Sequence, residues 1–400
     1  MKSAEGSELR VESSRPSFGL RSSSALAPTL NPQLSTLNPP RGVTLIELLI
    51  TMMIISILAA AVLGVAAVAG ETAREAKTRT IISRIHTLLM QQYDTYTSRR
   101  VKVDSAILNG ITNLNANAAA KGRLKAEARL YALRELMLME IPDRWSDVLL
   151  REVPSPPNTS TSVAVLPIYF DAPLLSDASP YPITRRTEVA GVYLRNFRRI
   201  AGATNKITGQ SNTTEEILAN QGAECLFMVV MNACGDGESR TLFPESSIAD
   251  TDGDGAPEFV DGWGHPIEFL RWAPGFESDI QSDANKLDAA ADRDTAWMTA
   301  GSADHDPFDL YRTQPTAFRL VPLVYSAGRD EEFGLVTNGG SNPWRPTSYV
   351  LELSTSGSPP YVKPALNPYV TYAGYGYLGT ADASTKASTD NLTNHLIGTR

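Results

Sequence analysis

The feature that most constrains this chain is the apolar run from Val43 to Gly70, which holds one ionisable residue, Glu47. A helix that crosses the hydrocarbon layer needs about 20 apolar residues at about 1.5 Å of rise each, so the run is long enough to span a membrane. An ionised carboxylate in hydrocarbon is costly, and such a residue points to function and to a partner. No Lys or Arg shares the helix face of Glu47. A charge from outside the chain, or one created by processing, is the economical source of compensation.

What precedes the run matters as much as its length. Residues 1–40 are rich in Ser, Pro, Leu and Asn and repeat "TLNP" at Thr29 and Thr36, a composition that cannot bury enough apolar surface to fold. In a secretory signal the small-residue cleavage site follows the apolar core, whereas here Arg41-Gly42 comes before it. A cut at Gly42 therefore removes a leader and keeps the membrane helix.

After Gly70 the pattern turns amphipathic. Ile81, Ile82, Ile85, Leu88, Leu89, Gln92, Tyr93 and Tyr96 follow helical spacing, with Arg74, Lys77 and Arg84 elsewhere, and no proline occurs between Val43 and Arg100. This predicts one helix on the order of 80 Å long. A second helix is expected from Arg123 to Ile141, stopped by Pro142, with Leu130, Leu133, Met137 and Ile141 on its face and Arg123, Lys125, Arg129 and Arg134 solvated. Residues 152–185 read as loop with a short strand at Val163 to Phe170. A third helix is expected from Thr214 to Met231, with Thr213 or Thr214 as N-cap and Glu215 and Glu216 in its first turn. Its "CLFMVVMN" is too short to cross a membrane and reads as core.

From Glu258 the texture is strand-like: "EFVDGWGHPIEFLRW" has two apolar runs around a Gly-rich turn, "FRLVPLVYSAG" follows at Phe318, and "YVLEL" at Tyr349. Pro322 marks an edge or bulge, and the Ala-, Ser- and Thr-rich tail after Thr380 is expected to be loose. The expected divisions are a leader (1–42), a membrane helix (43–70), its amphipathic continuation (71–100), a helical insert (101–240), a β-rich head (241–380) and a flexible tail (381–400).

The formal net charge of −8 over 400 residues argues against nucleic acid, whose phosphates it repels. Cys225 and Cys234 are the two cysteines. Nine positions along a continuous helix place them on opposite faces, so a disulfide requires the helix to end between them, as "ACGDG" permits; otherwise they are two thiols. "DTDGDGAPEFVD" sets Asp250, Asp252, Asp254, Glu258 and Asp261 at positions 1, 3, 5, 9 and 12 of a loop, with Gly255 at the sharp turn. This is the spacing by which oxygen ligands wrap Ca²⁺, although Asp-Gly repeats also make plain turns.

"RGVTLIELLI" closely resembles the processing site of type IV prepilins and type II secretion pseudopilins. The resemblance implies cleavage after Gly42 by a prepilin peptidase that methylates the new amino terminus at Val43, and it makes Glu47 the fifth mature residue. It supplies the missing partner: the carboxylate neutralises the terminal ammonium of a neighbouring subunit and sets their register during assembly. Val43 stands where that family most often has Phe. "DGWGHP" at Asp261 and "YSAGRDE" at Tyr325 resemble the Asp-x-Trp-Gly-x-Pro turn and the Ser-x-Gly-x-Asp loop of major pseudopilins, and the second resemblance adds Ser326 and Asp330 as calcium ligands. Glu331 replaces a glycine that usually follows that Asp.

"GYGYLG" at Gly374 lacks the strand-to-helix context of a dinucleotide site. His86, His265, His305 and His395 form no metal-ligand set, and the apolar setting of Cys225 blunts it as a nucleophile. The expected fold is α+β and pilin-like: a long N-terminal helix packed on a small antiparallel sheet, with a helical insert. The expected function is that of a non-enzymatic subunit polymerising with other pilins through an inner-membrane assembly platform, its head outside the cytoplasm. A minor tip pilin with an adhesive or cargo-binding head, and a membrane-anchored calcium-stabilised enzyme, are the alternatives.

Overall fold

The computed structural model describes residues 42–149, 187–234, 239–276, 278, 280, 304–315, 317–337, 367–369, 377–381 and 387–395. The leader, the strand at Val163 to Phe170, the strand at Tyr349 and the first half of "GYGYLG" lie outside them. Contacts divide the chain into two compact units that meet between Leu63 and Gly64 in sequence.

Helix α1 runs Leu45–Ser98. Up to Leu63 its side chains are exposed all round, including Leu45, Ile46, Leu49, Met53, Ile54 and Leu58, and the helix is long and apolar enough to cross a membrane.

Beyond Gly64, α1 buries one face made of Thr78, Ile81, Ile82, Ile85, Leu88, Leu89, Tyr93 and Tyr96, as the spacing predicts. Truncating one of its Ile or Leu residues to Ala costs about 2–5 kcal/mol. The insert contributes α2 (Ser105–Asn113), α3 (Ala118–Glu140), α4 (Trp145–Leu149), α5 (Glu188–Ala201), α6 (Thr214–Ala219), α7 (Gln221–Asn232) and α8 (Ser239–Leu242). Strands β1 (Ile248–Ala249) and β2 (Glu258–Phe259) pair antiparallel. Strands β3 (Ile267–Leu270), β4 (Leu323–Ser326) and β5 (Leu392–Thr393) form a second antiparallel sheet in the order β3-β4-β5. The architecture is α+β, a long N-terminal helix with several helices and small antiparallel sheets, consistent with a pilin-like arrangement.

Helix α7 is buried over nearly all its length and packs on β2 and β3, which makes "CLFMVV" core. The expected third helix divides in two at Asn220, and Thr213 and Glu216 close a capping box at the start of α6.

Three expectations change. Arg134 is not solvated: the second half of α3 is enclosed, and Arg134, 1% exposed, pairs with Asp306 at 2.8 Å and Gln314 at 2.9 Å. A face reading assumes one partner, whereas α3 has α2, α4 and α5 against it. Pro322 does not mark an edge, because β4 begins one residue later and is the central strand. The tail is not wholly loose: β5 pairs Leu392 with Ser326 and Thr393 with Tyr325, and Asn394 bonds the Val324 amide at 2.8 Å. Of the two alternatives for the cysteines, the structure has the thiols: Cys225 and Cys234 are free and buried. Helix α7 ends at Asn232, with Cys225 inside it and Cys234 just beyond.

Candidate functional sites: the start of the long helix and an acidic loop

Thr44 and Glu47 organise the start of α1. The Thr44 hydroxyl accepts from the Glu47 amide at 3.3 Å, and Glu47 Oε2 accepts from the Thr44 amide at 2.8 Å and its hydroxyl at 3.0 Å. This is a capping box, in which two otherwise orphaned amides are satisfied reciprocally. The Thr-x-x-Glu spacing carries that signal in the sequence. Gly42 and Val43 precede the helix in non-helical backbone, and the Glu47 carboxylate lies one turn from them.

In the second part of the chain the acidic loop is held from outside by residues 205–212. Asn205 and Asn212 donate to the carbonyls of Asp252 and Asp254, at 3.0 and 2.7 Å, and the Lys206 amide donates to the Gly253 carbonyl at 2.7 Å. Gly253 has φ +78, which favours glycine, and a Cβ there would meet Ile207 Cγ1 at 2.7 Å. One oxygen from each of Asp250, Asp252 and Asp254 lies within 4.8 Å of the others. A second group, overlapping at Asp252, adds Glu258 and also Glu224 of α7.

Sequence reasoning missed Glu224, because a ligand carried by a packed helix has no fixed spacing from a loop. The Trp145 indole donates to Glu224 Oε2 at 2.5 Å, whereas Oε1 is buried with no hydrogen-bond partner, as is Asp254 Oδ2. Burial, then Asp254 and Asp252, pushes the Glu224 carboxyl well above the usual range. Burial with Asp252 and Asp250 pushes Glu258 up to about 8, and burial with the same neighbours pushes Asp254 up to about 6. Lys206 is ion-paired with Asp250.

The other expected ligands fall elsewhere. Asp261 Oδ1 accepts from the amides of Trp263, Gly264 and His265 at 2.8, 2.8 and 3.0 Å, and Oδ2 accepts from the Ser326 hydroxyl at 2.7 Å. These two residues tie the Trp-Gly turn to the later loop and do not join the acidic group. Asp330 Oδ1 accepts from the Glu332 amide at 3.0 Å on an exposed turn. The turn docks on α1: the Gly262 amide donates to Thr78 Oγ1 at 2.8 Å and the Trp263 indole to Glu71 at 3.0 Å. A cleft of about 340 Å³ is lined by Asp143, Arg144, Glu268 and Tyr325 among others. Asp143 and Arg144 pair with each other at 3.1 Å, and burial pushes Glu268 up to about 7.

Residues 38–63 match the model of the prokaryotic N-terminal methylation motif. The chain therefore carries the signature of prepilins and pseudopilins at the segment where α1 is apolar and exposed. No curated protein and no solved structure matches the chain.

Proposed function

We propose that this chain is a structural subunit of a type IV pilus or type II secretion pseudopilus, cleaved after Gly42, methylated on Val43 and polymerised through α1. The observation that carries the reading is the methylation motif over residues 38–63, coincident with the start of a helix long and apolar enough to cross a membrane. Before assembly the subunit is a single-pass protein of the inner membrane with its head outside the cytoplasm. Its partners there are a prepilin peptidase, an assembly platform and other pilins.

Cleavage after Gly42 frees the Val43 nitrogen as an ammonium, one residue before the amide capped by Glu47. Within hydrocarbon, neither ion is tolerated well without the other. A carboxylate one turn along a neighbouring α1 neutralises that ammonium at a defined axial offset, so Glu47 sets the register between subunits.

The test is N-terminal sequencing and intact mass of the protein recovered from its native membrane, wild type beside Glu47→Ala. The expected wild-type chain starts at methylated Val43; Glu47→Ala is cleaved normally but loses most of its incorporation into filaments. A chain that keeps its leader, or normal filaments from Glu47→Ala, overturns the reading.

A further inference from the structure

We propose that the acidic loop is a calcium site completed by Glu224, so that one ion fastens helix α7 to the loop between β1 and β2. Calcium takes six to eight oxygen ligands at about 2.4 Å, which puts ligand oxygens at most about 4.8 Å apart. Glu224, Asp252 and Glu258 each offer one oxygen within that span, and Asp250 and Asp254 cluster on the same Asp252. Donors of oxygen alone, most of them carboxylates, suit a hard cation and not zinc.

A cluster of carboxylates is no site by itself, since solvent and lysines commonly satisfy one. Here the deciding group is Glu224. It is 1% exposed, sits on a helix core to the head, and its Oε1 accepts from no N–H or hydroxyl donor; its one hydrogen-bonding neighbour on the loop is another carboxyl, that of Asp254, with which it shares a proton when no cation is bound. A buried acceptor without a donor costs about 1–3 kcal/mol, more when charged, and the lysine at the loop already pairs with Asp250. The nearby donors are otherwise committed to positioning: Asn220 Nδ2 bonds Thr251 Oγ1 at 2.9 Å and Asp252 Oδ2 at 3.2 Å, and the Thr251 amide bonds Glu258 Oε2 at 3.0 Å. They orient the carboxylates and leave Glu224 Oε1 and Asp254 Oδ2 to each other, a place that a cation fills by displacing their shared proton. The loop's twelfth position, Asp261, takes no part, and Glu224 stands in for it. The proposal is independent of the filament reading.

The experiment uses the full chain in detergent, melted with EGTA and with about 1 mM Ca²⁺, and titrated separately with Tb³⁺ under indole excitation. The Trp145 ring bonded to Glu224 makes an ion held there a luminescent acceptor. Calcium is expected to raise the wild-type Tm by about 5 °C or more, and Tb³⁺ emission is expected to be displaced by Ca²⁺. Glu224→Gln should melt at or above wild type in EGTA, keep less than half of the calcium shift, and bind Tb³⁺ at least about tenfold more weakly. Gln mimics a protonated Glu, so if Glu224 merely holds a proton, calcium shifts neither chain, and that result overturns the proposal. An equal calcium shift in wild type and Glu224→Gln overturns it too, as does a Mg²⁺ shift equal to that of calcium.

Discussion

Two acidic turns lie close together in this head and use the same side chain in opposite ways. At Asp261 three backbone amides and one hydroxyl converge on the two carboxylate oxygens. In the loop from Asp250 to Glu258 carboxylates face one another, and Glu224 adds one more from a helix. The spacing of acidic residues treats all of these as equivalent oxygens. What separates them is the supply of donors: the Trp-Gly turn folds its own amides inward and needs nothing more, while the acidic loop leaves acceptors unmatched. The loop carboxylates also accept backbone amides, as Asp254 Oδ1 does from Ala256 and Glu258 Oε2 from Thr251, but Asp254 Oδ2 has no such donor.

The contrast is broken most severely at Asp261. Asp261→Ala leaves the buried Ser326 hydroxyl and three part-buried or exposed amides without their acceptor, and with about 1–3 kcal/mol for a buried unmatched donor and less where water can reach, a loss of about 3–4 kcal/mol is expected in denaturant unfolding. Asp254→Asn, measured without calcium, is expected to be neutral or stabilising because it relieves like-charge crowding. Equal destabilisation by the two would erase the distinction. Next in size is Gly262→Ala. A Cβ at this position meets the Arg74 backbone of α1 at less than contact distance, so the turn must lift off the helix. The expected cost is about 2–3 kcal/mol, read as a lower Tm with weakened shielding of the Trp263 indole; an unchanged melt would mean that the turn does not rest on the helix. The smallest effect belongs to Glu331, held at φ +67 beside the Trp-Gly turn and paired with His265 at 3.4 Å. Glu331→Gly removes left-handed strain at the expense of a weak, exposed ion pair. It should gain about 0.5–1 kcal/mol, and a loss would show that the pair outweighs the strain.

Much of the fold can be read from local pattern. The buried face of α1, the Thr213 cap, the core character of α7 and the cores of β3 and β4 all follow from periodicity or from a capping residue. Helix α5 was equally legible and was missed: Thr187 caps it, Glu188 opens it, Arg198 and Arg199 close it, and Gly202 follows. Other features have no local sign. Arg134 is interior because helices from separate stretches of sequence surround it. Leu392 and Thr393 make a strand because β4 offers them an edge, although the residues around them look like a tail. The acidic loop was visible as a run of spaced carboxylates, yet which carboxylates lie together was set by tertiary contact, which brings Glu224 beside the loop and takes Asp261 to Ser326. The methylation motif behaves differently because processing reads it as a linear segment, so its meaning survives without the fold.

Asn394, one residue beyond β5, touches His86 on α1 at 2.8 Å across 308 residues of sequence. At about 5–20 residues per second of synthesis, on the order of 15–60 s separate the appearance of these two partners. For that interval the buried face of α1 is a sticky surface whose final cover has not yet been made. A chain cut short before Leu392 would therefore keep a complete α1 but lack the last segment that covers its buried face.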